Sequence, residues 1–217
     1  MAEPKSRQGL PGKVHTGFSD ATSAIIAAVA AEVRRLNPTG SKPVYVTGHS
    51  LGGAMAAIGA WIMQAAPYAI AIEQVVRFAA PKPGDGAFQT AYQKLFANHV
   101  RYESYDDRVP LLPPADDFIK LAAEIPLIGD LFNQAENWDY QPVGTLSYIE
   151  SAADDYKVTP HYPLLMGERL AEVAFELGKD IYDEDFSSFG DAHSCACGYG
   201  YMSGTCPTAV CQGAPIA

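Results

Sequence analysis

A chain of 217 residues with 48% hydrophobic content can bury one sizeable core, and nothing in its length calls for a second. Its formal net charge of -10, from 25 acidic against 15 basic residues, argues against a duplex nucleic-acid binder or an anionic membrane surface as partner. No run approaches the roughly 20 apolar residues of a transmembrane segment, and the polar, Pro/Gly-rich stretch over residues 1–12 has no apolar core of a secretory signal. That stretch is expected to be a flexible N-terminus, and the chain to be soluble.

From Ser19 to Leu36 the residues Ile25, Ile26, Val29, Val33 and Leu36 recur at helical spacing, with Ser19 or Asp20 as N-cap, and Asn37-Pro38-Thr39-Gly40 stops the helix. Pro43 to Thr47 is short and β-branched and turns at Gly48 into a small-residue helix over Leu51 to Ala66. A second strand over Gln74 to Ala80, a loop, and a helix from Ala87 to Ala97 repeat the pattern, and His99 to Tyr105 reads as a third strand. Phe118 to Asn133 is amphipathic but broken at Pro126, giving two short helices. A weaker strand, Thr145 to Glu150, precedes a helix over His161 to Leu177. Strands alternating with helices predict an α/β class, with a mostly parallel sheet and helices on both faces. Residues 13–178 form the predicted domain and 179–217 an acidic, then Gly/Cys-rich tail. All four cysteines, Cys195, Cys197, Cys206 and Cys211, lie in that tail, where disulfides, free thiols and a metal site including His193 all stay open.

Gly48-His49-Ser50-Leu51-Gly52 fits G-x-S-x-G between a predicted strand and a predicted helix, the setting of a nucleophile elbow. Gly48 and Gly52 are expected to be small because strand and helix backbones crowd there. The Leu51 amide, at the helix start, is the expected oxyanion donor. A serine hydroxyl needs a base and an orienting carboxylate, in the order Ser, Asp/Glu, His for this fold. Of the downstream histidines, His99 begins a strand and reads as packed, and His193 sits in the tail and reads as non-catalytic. His161, after the last strand and before a helix, is the expected base. Asp106 and Asp107, at the carboxyl end of the third strand, are the acid candidates, ahead of Asp116, Asp117, Asp139, Asp154 and Asp155.

These motifs resemble those of the class 3, fungal-type lipases of the α/β-hydrolase superfamily. Val14-His15-Thr16-Gly17-Phe18 is similar to the family's V-H-x-G-F, and Thr47 to Ala54 to its T-G-H-S-L-G-G-A elbow. Phe78 to Gly84 is similar to F-G-x-P-x-x-G, and Trp138 to Thr145 to Y-x-H-V-G-T, with Pro142 in place of the histidine. Asp107 to Pro114 resembles D-x-V-P-x-L-P-P, whose first residue is the family's catalytic aspartate, and this selects Asp107. The family also carries an upstream strand and turn that supply a second oxyanion donor and lead to a lid. Only thirteen residues precede Val14, so the chain reads as N-terminally short, without that donor and lid, with Phe118 to Asn133 as a substitute cap or a plain helix pair.

The resemblance implies a lipase that hydrolyses acylglycerols through Ser50, His161 and Asp107, needing no cofactor or metal. Its substrate would be an ester or lipid, met in solution or at a lipid–water interface. A feruloyl or polyester esterase, or a non-catalytic scaffold, are the alternatives. The missing edge strand would invite pairing with a second copy, giving a homodimer.

Overall fold

The computed structural model describes residues 3–105, 107–115, 137–150, 157–162, 190, 193, 194 and 199. A five-stranded sheet carries the architecture, built from β3 (Tyr45–His49), β4 (Gln74–Phe78), β6 (His99–Ser104), β8 (Thr145–Ile149) and β9 (Val158–Thr159) in that spatial order. The first four strands are parallel and β9 closes the edge antiparallel to β8. Parallel neighbours need crossovers. Helix α2 (Leu51–Gln64) joins β3 to β4, and α3 (Gly86–Leu95) joins β4 to β6. This is the α/β-hydrolase fold, of the class that the alternation of strand and helix signals predicts.

Helix α2 is buried on most of its circumference, through Gly53, Ala54, Ala56, Ala57, Ile58, Gly59, Ala60 and Met63, because it lies between the sheet and α1 (Thr16–Leu36). Small residues let the two helices approach closely: a Cβ added to Gly59 would meet Ile26 and Thr22 of α1 at 3.5 and 3.6 Å. The face of α1 turned inward is Ser19, Thr22, Ile26 and Ala30. Ile25, Val29 and Leu36, part of the apolar periodicity, are exposed. Ser19 is therefore an interior residue and not the N-cap. The helix begins three residues earlier, where the His15 ring accepts from the Phe18 amide at 3.4 Å.

A second, antiparallel sheet of order β1-β2-β5-β7 was not legible in the sequence; it comprises β1 (Pro4–Ser6), β2 (Lys13–His15), β5 (Gly84–Asp85) and β7 (Tyr140–Gln141). Residues 4–6, expected to be flexible, pair with β2 in the register Pro4 to His15 and Ser6 to Lys13. Side chains beyond the strand hold this segment. Arg7 donates to Ser19 at 3.1 Å and pairs with Asp20 at 2.6 Å, and the Trp61 indole donates to the Gly9 carbonyl at 2.9 Å. The helices expected over 118–133 and 161–177 lie outside the described residues.

Behind the elbow the core contains a buried polar chain. Arg77, 1% exposed, donates to His99 Nε2 at 2.8 Å, to the Val143 carbonyl at 2.5 Å and, at 3.5 Å, to the Gly53 carbonyl in the first turn of α2. Burial pushes the Arg77 guanidinium down to about 10, so it remains charged at neutral pH. Burial and the charges of Arg77 and Arg101 push the His99 imidazole down to about 2, so His99 is a neutral acceptor packed in the core. Beside it the Tyr92 ring, edge-on to His99 at 5.2 Å, is fully buried, and its hydroxyl meets no partner among the described residues. An unsatisfied buried hydroxyl costs free energy that removing it recovers. Tyr92→Phe is accordingly expected to leave the urea-unfolding free energy unchanged or to raise it by up to about 1 kcal/mol, where truncating a productively bonded tyrosine would lower it.

Candidate active site

The elbow forms because β3 must reverse into α2 within one residue. Ser50 takes φ 56° and ψ -133°, a backbone conformation that residues with a Cβ rarely adopt. Its amide continues the ladder to the Phe78 carbonyl at 3.0 Å, and its carbonyl accepts from the Gly53 amide at 2.8 Å. Close approach is demanded at Gly48, where a Cβ would lie 2.2 Å from the Gly52 carbonyl oxygen, and at Gly53, where it would lie 2.5 Å from the Ala80 Cβ. Gly52 differs from expectation: a Cβ there would meet nothing within 4 Å. Crowding explains Gly48 and Gly53, and Gly52 borders open space.

Asp107 follows β6 and is buried, its side chain fully so. Its carboxylate is held from several sides. The Val109 amide donates to Oδ1 at 2.9 Å, and the Tyr199 hydroxyl donates to Oδ2 at 2.6 Å. Burial, with the adjacent Asp107 charge, pushes the Tyr199 hydroxyl well above the usual tyrosine range, so it stays a donor. Tyr199 also accepts from the Ser104 amide at 3.1 Å and packs with Ala79 and Ile149. Asp106 lies outside the described residues.

The histidine that completes this arrangement is His193. Its Nε2 lies 2.7 Å from Ser50 Oγ, and its Nδ1 lies 3.1 and 3.0 Å from the two oxygens of Asp107. The expected base, His161, is elsewhere: it is exposed beyond β9, where its carbonyl accepts from the Thr159 hydroxyl at 2.8 Å. The expectation failed because it took the first histidine after the last predicted strand. His193 instead returns to the carboxyl ends of β3 and β6 from a segment read as a tail. Both ring nitrogens of His193 are thus engaged, by Ser50 and by Asp107. The four cysteines lie outside the described residues. Among the described residues no three His, Cys, Asp or Glu side chains are grouped as a metal would require.

His49, beside the serine, was not singled out by sequence. Its Nε2 lies 2.7 Å from the His193 carbonyl oxygen, and the two rings approach to 4.8 Å between centroids. It ties the backbone of His193 to the elbow. Leu51 is 50% exposed, and its amide opens α2, where no carbonyl four residues back lies within the helix. A base touching the hydroxyl, oriented by a buried carboxylate beside a helix N-terminus, can draw the proton from Ser50 and stabilise negative charge on an attacked carbonyl.

The sheet and the elbow are those of the α/β-hydrolase fold, and the elbow brings serine, histidine and aspartate together in line. The chain belongs to the class 3 lipase family, whose model, "Lipase (class 3)", matches residues 1–117. It is 33% identical over 104 residues to a secreted mono- and diacylglycerol lipase 1 of Fusarium solani, a match covering 46% of this chain and 30% of that protein. In structure it is similar to the Rhizomucor miehei triacylglyceride lipase, with a TM-score of 0.56 and 24% identity over 71% of this chain and 52% of that one. A triacylglycerol lipase described as having a serine protease triad as its catalytic centre superposes with a TM-score of 0.55 and 23% identity, covering 71% of this chain and 52% of its own. The chain thus spans 30% of the curated relative and about half of the structural ones.

The two histidines can be separated by reaction with a fluorophosphonate, which labels only an activated serine. His193→Ala is expected to slow labelling of Ser50 by about 10⁴-fold, and His161→Ala to leave it within about twofold, measured by intact mass against time.

Proposed function

We propose that this chain hydrolyses carboxylic esters, with acylglycerols as its substrates, through Ser50, His193 and Asp107. The observation that carries the reading is the 2.7 Å contact from His193 Nε2 to Ser50 Oγ on a strained elbow, with Asp107 on the opposite ring nitrogen. His193 takes the Ser50 proton as Oγ bonds to the ester carbonyl carbon, and Asp107 holds the Nδ1–H tautomer and stabilises the imidazolium. The Leu51 amide donates to the oxyanion. Collapse expels the alcohol, which receives the proton from His193. Water then attacks the acyl-enzyme with the same histidine as base, releasing the carboxylic acid and restoring Ser50.

The acylglycerol assignment draws on the family and on the mono- and diacylglycerol specificity in the name of the Fusarium relative. That relative is a secreted protein, and export belongs to the same reading. No helix among the described residues is long and apolar enough to cross a membrane. On this reading the enzyme meets lipid at an interface. The half-exposed Leu51 side chain next to the serine offers an apolar contact there.

Hydrolysis of p-nitrophenyl esters from short to long acyl chains, with and without a lipid interface, tests the proposal. Rates that rise with chain length or interface, and that fall about 10⁴-fold or more in Ser50→Ala, are the expected outcome. A preference for short or aromatic acyl groups would replace the acylglycerol reading by that of another esterase. Equal rates in the two proteins would end both.

A further inference from the structure

Lys82 lies in the loop between β4 and β5 and is 7% exposed, an unusual place for an ammonium with no carboxylate bonded to it among the described residues. Its Nζ donates to the carbonyls of Leu111 and, at 3.1 Å, Pro113, and its own amide donates to the Leu112 carbonyl at 2.8 Å. Three consecutive carbonyls thus converge on one residue. They lie at the end of the 3-10 turn Val109–Leu111, and the start of that turn supplies the Val109 amide that holds Asp107 Oδ1 at 2.9 Å. The turn is tied to Lys82 at its carbonyl end and to the Asp107 carboxylate at its amide end. An ammonium is favourable beside carbonyls that have no amide partner within such a turn, and its hydrogen bonds are charge-assisted.

We propose that Lys82 is a positioning residue for Asp107, acting through this turn, so that its charge governs how firmly the carboxylate is presented to His193. The proposal rests on the reading of Ser50, His193 and Asp107 as a hydrolytic triad. Lys82 bonds to the carbonyls of this turn, and through them its effect reaches Asp107. The charged groups that act on it are Glu103 and Arg101, both on β6: Glu103 favours the ammonium and Arg101 opposes it. Glu103 is already engaged by Arg101 and by the Tyr162 hydroxyl, the latter at 2.6 Å, so its carboxylate is shared. Burial dominates and pushes the Lys82 ammonium down to about 7. The charge-assisted hold is complete below that pH and is lost as pH rises through it.

The test compares wild type, Lys82→Arg and Lys82→Met by kcat and KM on a soluble p-nitrophenyl ester across about pH 6 to 9, where an arginine stays charged. Wild type is expected to show an alkaline fall in kcat with a midpoint near 7, with KM within about twofold. Lys82→Arg is expected to keep kcat to within about fivefold of wild type at pH 6 and to remove the fall. Lys82→Met is expected to lower kcat about tenfold at pH 6, also without the fall. Circular dichroism checks that each variant is folded. An alkaline fall that persists unchanged in Lys82→Arg overturns the proposal even if the methionine variant fails to fold, as does a methionine variant with the wild-type profile. Phosphonate labelling keeps the two readings apart. If wild-type Ser50 is not labelled, the hydrolase reading fails; if it is labelled and Lys82 variants behave as wild type, only the Lys82 inference fails.

Discussion

The backbone of Ser50 is the constraint on which the site depends. A non-glycine residue at φ 56° and ψ -133° stores about 1–3 kcal/mol, and it persists only when its surroundings leave the chain no alternative. Here the surroundings are the sheet ladder on one side and α2 on the other. The Phe78 carbonyl fixes the Ser50 amide in line with β4, while Gly48, Gly53 and Ala80 let the helix come close enough for the Ser50 carbonyl to receive the Gly53 amide. Arg77 reaches the Gly53 carbonyl from behind, so the buried polar chain through His99 and Val143 backs the same first turn of α2. Widening any of these contacts would relax the turn and withdraw the hydroxyl.

Charge burial is the second constraint. Asp107 has a fully buried side chain, which is tolerable only because Val109, Tyr199 and His193 surround its two oxygens. Tyr199 is the most economical of these partners: its ring fills the space against Ala79 and Ile149, and its hydroxyl satisfies the carboxylate. A serine hydrolase needs its aspartate dry and oriented, and the same hydrogen bonds that make burial affordable also fix the orientation.

Much of this architecture was legible because it is carried by local pattern. The strand before Ser50, the small-residue helix after it and the β-branched strand at Val75 and Val76 each announce themselves by periodicity and by the glycines that bound them. Asp107 was legible through the D-x-V-P-x-L-P-P resemblance; position alone left it level with Asp106. The second sheet was not legible, since its strands are two or three residues long and contain Pro4, Lys13 and Gly84, which carry no strand signal. His193 was missed for a related reason. It lies in a Gly/Cys-rich stretch without periodicity, where composition reads as tail, whereas His161 occupied the conventional place after a strand. Tyr199, six residues beyond His193 and bonded to the same carboxylate, lies in the same stretch and carried no periodic signal either.

The site is closed by residues far apart in the chain: His193 meets a serine 143 positions before it, and Tyr199 an aspartate 92 positions before it. A ribosome adds about 5–20 residues per second, so roughly 7–30 seconds separate the emergence of the nucleophile from that of its base. During that interval the elbow and the parallel strands can fold, but the hydroxyl has nothing to take its proton. By the triad reading, the order of synthesis itself keeps the serine unactivated until His193 reaches it.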